Sequence, residues 1–207
     1  MDILELQEKL DNLSAWRKSE LIQAHFLAEN AQNKEAKRYL CRAWVLIMYA
    51  HCDNFLKEAT KLYLSYVKSN SAMNYKPELM WLVMRGKENL TEGAEDNYKS
   101  LNDYHGMNHD ILFEVILSKD VFARRSFKYK SLRFFCDWIL QIQYNHQEIG
   151  PFCESLKEKR DSIAHGEESY IDKIEDCLPW HQTTIKFIDT LKDSLLDTAR
   201  NAMTPAI

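Results

Sequence analysis

Arg160, Asp161 and His165 are the residues of this chain best able to do chemistry together. They lie in the run EKRDSIAHG, residues 158–166, which has the form Arg-x-x-x-x-His. On an α-helix a four-residue step falls only about 40° past a full turn, so Asp161 and His165 share one face. A five-residue step rotates by about 140° and climbs about 7.5 Å, so Arg160 does not stack on His165. Gly166 is a natural residue to follow a helix C-terminus, which puts His165 in the last turn among carbonyls without partners. A histidine placed there beside a carboxylate suits general acid or general base work. Arg160 suits a phosphate, because its guanidinium presents a fork of N–H donors. The bland alternative is a helix end whose histidine favours the dipole and whose arginine faces water.

These residues need a helix to hold them, and the chain is rich in helical signals. It has only 5 Gly and 4 Pro in 207 residues, too few for the many turns of a β fold. Over residues 2–31 apolar side chains recur at helical spacing (Ile3, Leu6, Leu10, Leu13, Trp16, Leu21, Leu27), with a break expected near Ser14. Residues 35–68 hold no Gly or Pro and carry Leu40, Trp44, Ile47, Phe55, Ala59 and Tyr66, which predicts a long, mostly buried helix. Residues 69–77 (SNSAMNYKP) read as a loop. Short helices are expected at 78–85 and 110–117, around a polar, acidic stretch at 87–104. The apolar run SLRFFCDWILQIQ, 131–143, predicts a core helix. Gly150-Pro151 punctuates the chain, and Pro151 suits the first turn of a helix running from 152 to 165. A last helix is expected over 169–203, kinked or split at Pro179. With no repeat, linker or low-complexity tract, residues 1–207 read as one domain: an N-terminal helical arm over 1–34 and a helical bundle core over 35–203.

Charge and composition restrict the function. Lys plus Arg number 27 against 31 Asp plus Glu, a formal net charge of −4, so the surface as a whole does not suit duplex DNA. A nucleic-acid site must be a local patch or be assembled with a partner. No apolar run approaches the roughly 18 residues of a membrane span, and the start, MDILELQEKLDNL, lacks the basic and apolar regions of a secretory signal. The 5 cysteines (Cys41, Cys52, Cys136, Cys153, Cys177) are widely spaced and form no Cys-x-x-Cys pair, which predicts buried free thiols and a reducing cytoplasm. His105 and His109 have helix-like spacing, but Gly106 and Asn108 between them favour a loop, and no zinc set is completed nearby. No Gly-rich phosphate loop or Gly-x-Ser-x-Gly elbow occurs. No metal and no cofactor is expected. The five tryptophans read as core or interface residues.

Two motifs together carry a family resemblance. RDSIAHG at 160–166 resembles the Arg-polar-x-x-Ala-His-Gly signature of the HEPN superfamily. RAWVLIMYAHCDNFLKEA at 42–59 resembles the long helix of its MAE-type branch, which reads roughly Leu-Tyr-Ala-His-aromatic-Glu-Gly-Phe-x-Lys-Glu. Tyr49, Ala50, His51, Phe55, Lys57 and Glu58 match. Cys52 stands at the aromatic position, Asp53 at the acidic one and Asn54 at the Gly. The resemblance spans about 38–191. It implies an all-α, antiparallel helical bundle of the HEPN type, here with an extra N-terminal helix, which pairs two-fold as a homodimer.

The resemblance further implies a metal-independent endoribonuclease, with one Arg160 and one His165 from each protomer in a composite cleft. Cleavage by the RNA 2′-hydroxyl needs a base on that hydroxyl and an acid on the leaving 5′-oxygen, roles that two histidines can divide. Asp161 would orient the His or the Arg. Asp53 would hold Arg160, unless it is simply a solvated helical carboxylate. RNA, tRNA included, is the expected substrate. A toxin or antiphage effector restrained by an ATPase or antitoxin is the expected setting. A non-catalytic nucleotide-binding or adaptor module is the alternative, and a purely structural helical dimer a third reading. Related toxins silenced by nucleotide transfer carry Tyr two residues after the motif His; Glu167 stands there, so that control is not expected. Finally, KDVFARRSFKYKSLR at 119–133 interleaves Arg124, Arg125, Lys128, Lys130 and Arg133 with Phe122, Phe127 and Tyr129. It reads either as an RNA-holding surface or as a solvated basic stretch with its aromatics in the core.

Overall fold

Two long helices open the chain. In the structure, a computed structural model describing residues 1–70, 75–76, 113, 125–167, 171 and 173–201, α1 runs Ile3–Glu29 and α2 runs Lys34–Ser69. Each starts at a side-chain cap. Asp2 accepts the Glu5 amide at 2.8 Å, and Asn33 accepts the Ala36 amide at 2.8 Å, which satisfies donors that a helix start leaves open. The turn between the helices is short, so they pack antiparallel. Further along lie α3 (Tyr129–Arg133), a π-helical stretch (Phe134–Leu140), α4 (His146–Ala164) and α5 (Ile174–Asn201). No strand occurs among the described residues. The all-α bundle expected from the apolar spacing is what forms.

The N-terminal helix is part of this bundle. Leu6, Leu10, Leu21 and Ala28 are fully buried, and α1 lies along both α2 and α5. It does not break at Ser14, which is buried and turns its hydroxyl back to the Asp11 carbonyl at 3.1 Å. On α2, the buried side is lined by Trp44, Met48, Cys52, Phe55, Ala59 and Tyr63. Phe127, Phe135 and Phe187 join them from three other segments. Each such side chain removed from water stabilises the fold by about 1.5–3 kcal/mol. The five cysteines are buried free thiols, as their spacing predicts.

Three boundaries differ from the expectation. The core segment at 131–143 is a short α-turn that widens into the π-helical stretch and stops at Gln141, a non-glycine residue at φ +54°. The Gln141 side chain holds the Lys76 backbone from both sides, accepting its amide at 2.9 Å and donating to its carbonyl at 2.8 Å. Helix α4 begins at His146, not after Pro151. A proline at that depth forfeits one amide bond, and Pro151 faces outward. Gly150 beside it is buried against Tyr129, where a Cβ would come within 3.0 Å of the ring. Helix α5 runs on through Pro179, whose carbonyl accepts the Thr183 hydroxyl at 2.8 Å. The helices expected at 78–85 and 110–117, and the acidic stretch between them, lie outside the described residues, except for Phe113, which is helical and buried.

Candidate active site

The C-terminus of α4 is built as its sequence predicts. Gly166 takes φ +71°, a left-handed conformation that costs glycine little. The Glu167 amide then donates to the Ser162 carbonyl at 3.0 Å, and the Gly166 amide to the Ile163 carbonyl at 3.2 Å. This crossed pair is a Schellman closure. It fixes His165 as the cap residue, with its backbone amide on the Asp161 carbonyl at 2.9 Å. The imidazole itself is exposed, and no ion pair or hydrogen bond engages it among the described residues.

Asp161 serves Arg160. One carboxylate oxygen accepts the Lys157 ammonium at 2.5 Å and the other accepts Arg160 Nη1 at 2.7 Å. The Lys157 ammonium, with Arg160 beside it, holds the Asp161 carboxyl below its usual range. Of the two roles expected for Asp161, the structure brings it to the arginine.

The second support of Arg160 comes from α2. Its guanidinium carbon lies 4.8 Å from the centre of the Tyr49 ring. Tyr49 is 5% exposed, whereas the Arg160 side chain remains 41% exposed. Burial pushes the Tyr49 phenol up, with nearby Asp53 adding to the shift and Arg160 opposing it. The Tyr49 hydroxyl makes no well-formed hydrogen bond, although Ser126 lies close beside it. Asp53, one turn further along α2, does not hold Arg160 as expected. It pairs instead with Lys57 at 2.7 Å, both side chains largely buried. The i,i+4 spacing makes Lys57 the nearer cation.

The long-helix motif divides by face. Tyr49 turns toward Arg160 of α4. His51 is two residues and so about 200° round from Tyr49, and it turns toward α1. Its Nε2 lies 2.8 Å from the Glu20 carboxylate, with the Trp16 ring edge-on at 5.3 Å. Glu58 accepts Arg17 at 2.7 Å. His51, Phe55 and Glu58 of the motif therefore meet α1, and Tyr49 meets Arg160.

A cleft of about 420 Å³ opens along the outer face of α4, lined by Lys157, Glu158, Asp161, Ser162, His165 and their neighbours. His165 lies in the lining of this cleft, and Arg160 is not among the residues that line it.

The basic stretch is only partly available. Arg124 and Phe122 lie outside the described residues. Arg125 lies over the Phe134 ring at 3.4 Å, and Lys128 precedes α3 as its half-buried cap residue. Lys130 and Arg133 are exposed and line a groove of about 250 Å³ with Tyr129, Phe134, Asp137 and Trp138. Phe127 is fully buried among Tyr49, Phe152 and Phe187, so it belongs to the core and cannot stack on a base. Sequence reasoning gives no role to Tyr49 or Lys157. Lys157 could have been found as the i−4 neighbour of Asp161. Tyr49 sat inside a quoted motif with nothing to say which way it points.

A family model for the MAE-like HEPN family matches residues 6–203. The match begins inside α1, in keeping with that helix's place in the bundle. No curated protein and no solved structure matches the chain.

Proposed function

The chain belongs to the MAE-like HEPN family, and from that premise we propose that it is an endoribonuclease cutting RNA by attack of the 2′-hydroxyl at a site composed from two copies. Membership points to a nuclease-like or nucleotide-binding module. The observation that carries the finer reading is the state of Arg160 and His165. Arg160 is held at two points yet 41% exposed, and His165 stands open at a rigidly closed helix end. A purely architectural arginine would be expected to be buried or fully solvated.

In this reading two copies meet isologously, so that each motif helix faces its twin. One His165 takes the proton of the 2′-hydroxyl and the other gives a proton to the leaving 5′-oxygen. The 2′-oxygen bonds to phosphorus as the bond to the 5′-oxygen breaks, leaving a 2′,3′-cyclic phosphate and a 5′-hydroxyl. The Arg160 side chains stabilise the charge that develops on the phosphoryl oxygens. Asp161 orients Arg160. Arg125, Lys128 and Lys130 hold the incoming strand by its phosphates. These side chains supply the acid, the base and the charge, so the reading requires no metal ion. DNA, without the 2′-hydroxyl, resists. An enzyme of this kind serves as a toxin or antiphage effector and needs a restraining partner, an antitoxin or an ATPase.

One observation favours a second reading, a non-catalytic adaptor or nucleotide-binding module. The cleft beside His165 is lined by Glu154, Glu158, Asp161 and Glu167 against Lys157 and Lys159, an acidic excess that repels phosphate.

The deciding experiment is cleavage of total RNA and of tRNA in excess EDTA by wild type, Arg160→Ala and His165→Ala. The expected result is cutting by wild type alone, with cyclic-phosphate ends. No cutting by folded, dimeric wild type would turn the assignment to the adaptor. Equal cutting by all three would move the site elsewhere.

A further inference from the structure

We infer that Tyr49 is the positioning residue of this site, its ring forming the floor on which the Arg160 guanidinium rests. The inference builds on the ribonuclease reading and gives a role to a residue outside the Arg-x-x-x-x-His motif. Arginine is a long side chain with much rotamer freedom, and a half-exposed one has little to hold it. Asp161 gives one point of attachment, through Nη1 at 2.7 Å. Asp161 is the adjacent residue on the same helix, so that bond alone anchors one edge of the guanidinium and leaves its plane undetermined. The Tyr49 ring, 4.8 Å from the guanidinium carbon, supplies the second attachment from a different helix. A ring face attracts the cation without using any of its N–H donors. Donors not spent on Asp161 thus remain for phosphoryl oxygens. Asp53, the obvious alternative holder, is engaged by Lys57.

The ring is itself fixed. Tyr49 is 5% exposed, with Phe127 edge-on at 6.2 Å, and Phe127 is wedged in turn against Phe152 of α4 and Phe187 of α5. The floor under Arg160 is therefore continuous with the core that α2, α4 and α5 share. The hydroxyl contributes little to this arrangement, since it is buried and lacks a well-formed partner. Its removal should cost neither stability nor positioning. The ring matters and the hydroxyl does not, which makes the inference testable.

The test compares Tyr49→Phe and Tyr49→Leu by two readouts. On RNA substrate, Tyr49→Phe is expected to keep kcat within about twofold, while Tyr49→Leu lowers kcat by about 10- to 100-fold with KM nearly unchanged, the loss expected when a transition-state group is mislaid. In an Arg160→Ala background the Tyr49→Leu change should cost nothing further, because the tyrosine acts through the arginine. If Tyr49→Leu does not fold, Tyr49→Met, flexible and nearer in volume, takes its place. The second readout needs no activity. The Arg160 Nε–H resonance, assigned by its loss in Arg160→Lys, should carry a ring-current shift in wild type and Tyr49→Phe that vanishes in the leucine variant. Full activity in Tyr49→Leu, an equal loss in both backgrounds, or an unshifted wild-type resonance would each overturn the inference. A wild type that cuts no RNA but shows the shifted resonance would remove the ribonuclease reading and leave the placement of Arg160 on Tyr49 standing.

Discussion

Arg17 and Arg160 are built from the same parts and put to opposite uses. Each guanidinium lies over an aromatic ring and bonds a carboxylate at 2.7 Å: Arg17 over Trp16 at 4.3 Å and on Glu58, Arg160 over Tyr49 at 4.8 Å and on Asp161. Arg17, however, has Phe55 at 5.8 Å on another side, gives Nη1 to the Leu13 carbonyl at 2.9 Å, and is 1% exposed. Arg160 has one ring, one carboxylate, and 41% of its side chain open. Enclosure consumes the first cation, which can only hold α1 to α2. The second is held and still presents donors outward. Pair geometry alone does not distinguish a clamp from a site; the fraction left in water does.

The largest effect that can test this contrast is on stability. Arg17→Ala removes a large buried side chain and the bridge between two helices, and should cost about 3 kcal/mol in urea unfolding. Arg160→Ala should cost about 0.5 kcal/mol or less, as a half-exposed ion pair contributes little. Activity should reverse the order, with RNA cleavage falling at least about 100-fold in Arg160→Ala, on the scale of losing a transition-state donor. It should hold in Arg17→Ala wherever the protein stays folded. Equal destabilisation by the two substitutions would break the contrast.

How far the sequence reveals the two regions follows from the same physics. Helical order is local, so α1, α2 and the Gly166 closure are readable from apolar spacing and from one glycine after a histidine. Arg160, Asp161 and His165 are readable for the same reason, being neighbours on one helix. The α4 start is not, because Gly150-Pro151 looks like a break until Tyr129 is known to lie against Gly150. The partner of Asp53 is local too: Lys57, one turn away on the same helix, is nearer than the arginine of another helix that the motif suggests. Tyr49 beneath Arg160 and Glu58 against Arg17 are contacts across helices, and no spacing within one helix announces them.

A smaller effect tests how rigidly the site is presented. At Gly166 a Cβ would meet nothing within 4 Å, so crowding is absent and only φ +71° is at issue. Gly166→Ala should therefore lose about 1 kcal/mol, the cost of a left-handed alanine. Gly166→Asn should lose less, since asparagine tolerates that conformation. Both can be read from urea midpoints at constant slope. Cleavage should drop more than stability in the alanine variant, because the closure orients His165. An alanine variant with unchanged stability would mean that the turn relaxes freely and does not fix the histidine.

The smallest effect separates the regions by pH. Burial pushes His51, in the α1/α2 clamp, below the usual histidine value of 6.5, with Glu20 opposing the shift and Arg17 adding to it. Burial also pushes down His181, tilted against Trp44 and His25 at 5.0 and 5.5 Å, with His25 adding to the shift. The folded protein therefore binds protons on these rings less readily than the unfolded chain. Below about 6.5 the unfolded state holds more protons, so stability is full above that pH and is lost as pH falls through it. His181→Phe keeps a ring against Trp44 and cannot titrate, so its unfolding free energy should decline less between pH 7.5 and 5.5. Parallel decline in wild type and His181→Phe would place the acid sensitivity in other groups. A flatter curve for His181→Phe would tie it to the buried helical junction, on the structural side of the contrast, away from Arg160.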